Sequence, residues 1–581
     1  MSKAYVYDWR WKLKSSPEDL WAYAADTHHL NLVTGMPKIV FTEVLQSDGS
    51  VRRYAHAPIY SWLSLDWEEI PFDWVKPLRH SVKRVFSTRL FPIKWLQNVF
   101  NFYPQDDGGT ELQFELTLAP NGLLGGMLIP GIAKGVHTSF ERAFQQIDGY
   151  VQNQVERPFE TEVISIKASN FERFQTLMQE LRATGHDEAL LALFEQHLRH
   201  SAVEDLTRMR PFAFARKWNA DRIETLSLFL HGASIGLLDL SWDILCPECR
   251  GAKYQTGSLG DLPTTVHCPS CNIDYESYFD RSVEATFSIN PEIAPATRTD
   301  YCIGGPHSAP HVLVQQVLQP GEKRTATFPL KPGHYRLRAP RLGGADVRTP
   351  AAVLTPLPGQ PWITASSDYI TADLDVRITG EDVWISTGKL RSGEVTLNMS
   401  NETGGQQLLI FEDGEWSEQI ATAADVTAIQ AFRKLFSSEA LRPGYTVGIQ
   451  NMVVLFSDLK DSTALYQLVG DAAAFGTVID HFGILRRVIA DNRGGIVKTI
   501  GDSVMAVFRD PLDGMHAALE MIERIDDYNA NFDGQPLTLK VGLHQGPCIA
   551  VNLNDRLDYF GSTVNIAARL EGQSRGDDVV T

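Results

Sequence analysis

The chain has 581 residues, 43% of them hydrophobic, with 53 Lys and Arg against 71 Asp and Glu and a formal charge of −18. That length implies about three to five domains, the apolar content is ample for folded cores, and the acidic balance argues against a general nucleic-acid or membrane-surface binder. No run of 18 apolar residues occurs (Leu226 to Leu245 is broken by His231, Asp239 and Asp243), and MSKAYVYDWRWK lacks a signal-peptide core, so a cytoplasmic protein with no membrane span is expected.

Residues 1–155 read as the first unit. Ser16-Pro17-Glu18-Asp19 is a helix start, with Ser as cap, Pro in the first turn and acids behind it. Alternating stretches such as Leu112 to Leu116 predict strands, and a closing helix carries Ile132, Val136, Phe140, Phe144, Ile147 and Val151 on one face. Seven of the 12 tryptophans fall within the first 95 residues. Helix, many strands and a long last helix resemble the START-like, polyketide-cyclase-like (SRPBCC) superfamily, which wraps a curved sheet around its last helix. That resemblance implies a pocket for a hydrophobic small molecule; the alternative is that the aromatics simply fill a core or an interdomain face.

Residues 160–240 predict helices, with Phe171, Phe174, Leu177, Met178 and Leu181 at helical spacing, and the stretch from Pro211 to Trp242 looks loosely like a winged helix. Arg208, Arg210, Arg216, Lys217 and Arg222 lie together with Asp221 as the one acid among them. A domain-docking or solvated face is the expectation there, and no nucleic acid is expected as partner. Residues 241–283 contain CPEC and CPSC, giving C-x₂-C-x₁₈-C-x₂-C through Cys246, Cys249, Cys268 and Cys271. This spacing fits a closed tetrahedral ribbon site for structural Zn²⁺. Disulfides would need an oxidising compartment, and Cys302 and Cys548 read as ordinary thiols. Over 284–412 the period becomes two (Tyr335/Leu337, Leu374/Val376/Ile378, Val395/Leu397/Met399), as in a β-sandwich. Residues 413–445 read as a linker. A helix over 418–440 has a stripe of Val426, Ile429, Phe432, Leu435 and Phe436, placed either to pair across a dimer and transmit signal or to pack on the sandwich.

Residues 446–581 carry the chemistry. A buried strand from Met452 to Phe456 ends at Asp458, and a helix follows with Asp471 as cap and Phe475, Val478, Phe482, Leu485 and Ile489 on one face. Gly494-Gly495 stops it, and strands Ile496–Ile500 and Val504–Phe508 flank the turn Gly501-Asp502. Asp458 and Asp502 can converge at strand ends, where paired carboxylates suit Mg²⁺.

FSDLKDST, VKTIGDSVMAVF and LDYFGSTVNIAARL together resemble the catalytic domain of class III nucleotidyl cyclases, which has a ferredoxin-like core. The resemblance implies two Mg²⁺ or Mn²⁺ ions at Asp458 and Asp502, a phosphate loop of Leu459, Lys460, Ser462 and Thr463, adenine read by Lys498 and Asp558, and transition-state contacts from Asn565 and Arg569. Guanylate-type members usually carry Glu and Cys at the base-reading positions. A Lys ammonium only donates, which suits adenine N1, and a carboxylate only accepts, which suits the 6-amino group. The implied reaction is ATP to 3′,5′-cyclic AMP and pyrophosphate, in a homodimer whose metal and base-reading residues come from opposite protomers. The alternatives are a guanylate cyclase, or a ligand-binding regulator whose cyclase unit is silent. Two departures from the family pattern stand out. Asp461 replaces the usual Gly of the phosphate loop. The chain also stops at Val580-Thr581, where the family continues for roughly one hairpin bearing a polyphosphate-binding Lys, and a fragment is expected. The whole is thus expected to be a multidomain α+β chain: START-like unit, winged-helix-like segment with Cys₄ ribbon, β-sandwich and cyclase.

Overall fold

Period-two apolar alternation dominates the first 120 residues, and in the computed structural model of the chain it becomes a curved antiparallel sheet. The structure describes residues 3–46, 51–60, 63–88, 91–161, 166, 168–296, 301–340, 362–380, 382–416, 418–532 and 534–581. The first unit runs β1 (Tyr5–Leu13), α1 (Pro17–Ala24), α2 (Thr27–Val33), β2 (Val40–Leu45), β3 (Val51–Tyr60), β4 (Leu63–Val75), β5 (Arg79–Phe86), β6 (Ile93–Pro104), β7 (Thr110–Pro120) and α3 (Gly122–Val151). The Ser16 side chain caps α1 by accepting from the Asp19 N–H. α3 packs on β1 and β7 and buries Ile129, Ala133, Phe140, Phe144 and Ile147. Aromatic rings fill the space between helix and sheet, Phe100 stacking on Phe114 at 4.5 Å. The cavity left there, lined by Leu30, Phe72, His80 and Phe140 among others, is about 20 Å³, room for one water. Around that cavity the unit's own side chains fill the space between α3 and the sheet, while a separate, open pocket of about 640 Å³ lies where β1 meets the start of α3, lined by Tyr5, Pro120, Leu123 and Met127 among others.

Next come α4 (Ala168–Arg182), α5 (Glu188–His200), α6 (Pro211–Trp218) and α7 (Arg222–Ser234), then β8 (Leu238–Leu245), β9 (Ala252–Thr256), β10 (Thr265–Cys268), β11 (Ile273–Glu276) and β12 (Val283–Ile289). β12 pairs with β8 from Val283↔Ile244 to Ile289↔Leu238, so it sides with the helices rather than with the sandwich. Of the basic residues expected on a docking or solvated face, Arg208 and Arg210 are engaged internally, whereas Arg216, Lys217 and Arg222 are exposed. Arg208 and Arg210 both reach the fully buried Glu284, Arg208 also binds Asp243, and Arg222 lies 4.2 Å over the Phe212 ring.

The following strands are β13 (Val312–Leu318), β14 (Lys323–Leu330), β15 (Gly333–Arg338), β16 (Trp362–Ser366), β17 (Asp373–Thr379), β18 (Asp382–Ile385), β19 (Lys389–Arg391), β20 (Gly393–Asn401) and β21 (Gln407–Asp413). Residues 341–361 of the expected sandwich lie outside the described residues. Sheet β14-β20-β17-β18 faces sheet β13-β21-β15-β16-β19 across a core that includes Phe328, Leu337, Val376, Leu397 and Phe411. The second sheet is not separate from the first unit. β13 pairs with β4 through Val314↔Val75 and Gln315↔Trp74, giving one sheet of 12 strands.

The helix expected over 418–440 is instead two short ones, α8 (Ala423–Ala428) and α9 (Gln430–Leu435). The chain breaks at Ile429, which is extended (φ −91°, ψ 147°). Thr422 and Asp425 form a capping box on α8, and the turn at Ile429 lets Phe432 meet Trp242 edge-on at 6.0 Å. The expected stripe is largely buried, against the upstream helices and the last unit together.

That last unit comprises β22 (Thr446–Leu459), α10 (Ser462–Val469), α11 (Asp471–Asp491), β23 (Gly495–Ile500), β24 (Ser503–Phe508), α12 (Pro511–Ala530), β25 (Leu539–Leu553), β26 (Arg556–Phe560), α13 (Ser562–Glu571) and β27 (Asp578–Val580). Strand order is β23-β24-β22-β25-β26, with β27 parallel to β25. α11 and α12 cover one face through Val453, Leu455, Val504, Ala506 and Phe508. The other face, with Met452, Val454, Met505 and Val507, shares a core with α7, α8 and α9. Two local expectations fail on α11. Gly470 rather than Asp471 is its cap, and Phe475, expected on the buried stripe, is 60% exposed while Val478, Leu485 and Ile489 are buried.

Candidate active site

β22 delivers Asp458. Ser457 pairs with Val504 across the ladder, which sets Asp458 level with Ser503 and beside Asp502 in the β23–β24 turn. That turn is made by Gly501, whose φ of +64° favours glycine. Asp458 accepts a short hydrogen bond from Ser503 Oγ. Asp502 Oδ2 is buried with no hydrogen-bond partner among the described residues. A buried carboxylate oxygen without a donor is costly, and a hard divalent cation satisfies it with the oxygen ligands it prefers. The two residues thus fit the expected metal ions. His481 on α11, which sequence reading passed over, is fully buried with both ring nitrogens unpaired among the described residues. Burial pushes its pKa down to about 4, against an opposing pull from Asp458. Its place in the stripe between Val478 and Leu485 was the available signal.

The expected phosphate loop follows. Leu459 is buried. The Lys460 N–H donates to Thr538 O and its Nζ to Arg575 O, so both residues anchor the loop. Asp461 is left-handed (φ 56°), a conformation open to Gly and tolerated by Asp, which accounts for the substitution at this position. Ser462 and Thr463 open α10, where free helix N–H groups favour anions.

Lys498 and Asp558 lie on β23 and β26, the two outer strands of the β23-β24-β22-β25-β26 order. The β22–β25 ladder has an irregularity between Ile449 and Met452, and the two side chains meet although their strands do not pair. Lys498 Nζ is 2.6 Å from Asp558 Oδ2. Asp558 Oδ1 accepts from the Tyr559 N–H, and the ammonium lies 5.3 Å from the Phe560 ring. Donor and acceptor therefore stand side by side within one protomer.

Asn565 and Arg569 lie one turn apart on α13, both exposed on one face. The opposite face of α13 seats Thr563 and Ala567 on β25, where glycine is required. A Cβ at Gly542 would meet Glu571 N at 2.1 Å, and one at Gly546 would meet Thr563 Oγ1 at 2.7 Å. Arg569 forms no ion pair among the described residues.

Far from these residues, the Sγ atoms of Cys246, Cys249, Cys268 and Cys271 all lie within 4.8 Å of one another. Cys249 and Cys268 are 3.9 Å apart, too far for a disulfide and close to the edge of a zinc tetrathiolate tetrahedron. The Cys271 N–H points at Cys268 Sγ at 3.4 Å, and Lys253 is held charged beside the thiols. The donor set fits zinc.

No helix among the described residues is long and apolar enough to cross a membrane. Residues 445–580 match the family described as adenylate and guanylate cyclase catalytic domain, and residues 171–300 match a family of unknown function, DUF5939. Adenylate cyclase 1 of Rhizobium meliloti is 30% identical over 140 residues, 22% of this chain and 21% of that one. An adenylate cyclase of Anabaena cylindrica is 28% identical over 139 residues, 22% of this chain and 28% of its own. The chain thus spans well under a third of either relative's length. The crystal structure of the adenylyl cyclase CyaB from P. aeruginosa matches 23% of this chain and 77% of its own at 25% identity, with a TM-score of 0.21. Residues 445–580 are a nucleotide cyclase catalytic domain.

Proposed function

We propose that the chain is an adenylate cyclase, converting ATP to 3′,5′-cyclic AMP and pyrophosphate at sites built by a homodimer. The observation that carries this reading is the Lys498–Asp558 pair at 2.6 Å. The ammonium donates to adenine N1 and the carboxylate accepts from the 6-amino group, whereas guanine presents a donor and an acceptor in the reverse order. Divalent metal ions held by Asp458 and Asp502 supply, when bound, a more acidic ribose 3′-hydroxyl and neutralisation of the triphosphate. The Ser503 hydroxyl fixes the Asp458 carboxylate by donating to it. Backbone N–H groups at the start of α10 receive phosphate oxygens. Asn565 orients the ribose, and Arg569, permanently cationic and fork-shaped, faces the charge that develops at the α-phosphate. Exposure of both on one protomer's surface supports a site completed by a second copy. The Cys₄ cluster holds a structural zinc ion in the upstream region.

The test is cyclic-nucleotide production from ATP and from GTP with Mg²⁺ or Mn²⁺. Cyclic AMP from ATP in excess is expected, and the Lys498→Glu, Asp558→Cys double variant should move preference toward GTP. An unchanged preference in that variant would remove the base-reading roles, and no product from either nucleotide in a dimeric preparation would leave a silent cyclase module.

A further inference from the structure

The two edge strands that carry Lys498 and Asp558 share a third neighbour, the short helix α9 from outside the cyclase domain. At its start, Gln430 is tied twice to β23 and the residue before it: its N–H donates to Gly494 O, and its Oε1 accepts from the Ile496 N–H at 2.9 Å. One turn on, Arg433 Nη1 donates to Leu557 O at 3.3 Å, and its guanidinium lies 5.2 Å over the Tyr559 ring. Leu557 and Tyr559 flank Asp558; Ile496 is two residues before Lys498. Arg433 Nε and Nη2 are buried without a partner among the described residues, so the cation's hydrogen bonding is committed to β26. Behind α9, Tyr559 Oη meets Thr427 Oγ1 of α8 at 2.9 Å. A Cβ at Gly495 would meet Ala428 O at 2.5 Å, so β23 approaches the linker as closely as backbone allows.

We propose that Gln430 and Arg433 are positioning residues for base recognition: α9 braces β23 against β26 and so fixes the separation of Lys498 and Asp558. The proposal rests on the cyclase reading above and extends it to a segment outside the catalytic domain. Base recognition contributes to binding and to discrimination between purines, whereas the metal and Arg569 contacts act on the reacting phosphate. Loosening the brace therefore raises KM for ATP and narrows the ATP-to-GTP preference, with kcat little changed.

The experiment compares the full chain with Arg433→Ala, Arg433→Lys and, as a control on the exposed side of the same helix, Lys434→Ala. KM and kcat for both nucleotides would be measured alongside ATP binding by calorimetry. Arg433→Ala is expected to raise KM and Kd for ATP about tenfold and to leave kcat within about twofold; Arg433→Lys, which keeps a donor for Leu557 O, recovers part of the loss, and Lys434→Ala changes nothing. If Arg433→Ala does not fold, Gln430→Met, which deletes the acceptor facing Ile496 at similar chain length, takes its place with the same expectation. Unchanged KM and nucleotide preference in a folded variant, with an active parent chain, overturns the brace and leaves the cyclase reading standing. A parent chain that neither binds nor turns over ATP removes both.

Discussion

Asp502 has a buried oxygen with no hydrogen-bond partner among the described residues, so its loss should separate catalysis from structure. Asp502→Ala is expected to abolish turnover while circular dichroism, melting temperature and zinc content stay as in the parent; retained activity would overturn the metal assignment. His481 makes a prediction of opposite kind. Its folded pKa near 4 lies below the ordinary value of about 6.5, so the unfolded chain binds the proton first. Stability is then full above about pH 6.5 and is lost as pH falls toward 4, by at most about 1.4 kcal/mol per unit. His481→Phe removes two unpaired buried nitrogens and should raise the melting temperature at pH 7 and flatten its decline down to pH 4.5; an unaltered slope would place the acid sensitivity in other groups such as His80, which burial also holds neutral, down to about 3. At this scale the sequence was informative where function sits on local motifs. Asp458 and Asp502 could be named because a strand end and a tight turn are short-range signals, whereas Asn565 and Arg569 were named only through the resemblance of LDYFGSTVNIAARL to the cyclase family. The meeting of Lys498 with Asp558, 60 residues apart, depends on how the sheet brings its outer strands together and has no local signature.

Among elements, the clustering of the four cysteines was legible from spacing alone, because a tetrahedral site demands two close pairs. One zinc per chain is expected by elemental analysis; Cys268→Ser should lose it and lower the melting temperature by several degrees. Full zinc content in that variant would argue for a different ligand set. The linker was misread for a physical reason. Val426, Ile429 and Phe432 share a helical period, but Ile429 is extended, and the residues around it pack on both the β8 side and β23, which a continuous helix could not reach. The basic residues of 208–222 illustrate the same limit. Arg208 and Arg210 find their partners Asp243 and Glu284 on strands that follow later in the chain, which charge counting alone does not show, while Arg216, Lys217 and Arg222 stay exposed.

For the molecule as a whole, the placement of Asn565 and Arg569 on an exposed face predicts that a dimer is the active form. Asp502→Ala chains mixed with Arg569→Ala chains, each inactive alone, should regain activity through mixed dimers. No recovery despite subunit exchange would mean that one protomer furnishes the complete site. The joins between stretches of different hydrophobic period were not readable, since strand partners between them leave no mark in either stretch. The β4–β13 pairing has a practical corollary for anyone dissecting the protein. A truncation placed at the apparent boundary near residue 155 would strip β4 of a neighbour and bare a tryptophan-rich margin, the kind of surface that recruits other chains. The unit that can be expressed alone is accordingly larger than the unit that can be recognised, and the fewest cuts through backbone ladders, rather than the clearest change in sequence pattern, should decide where a cloned fragment begins and ends.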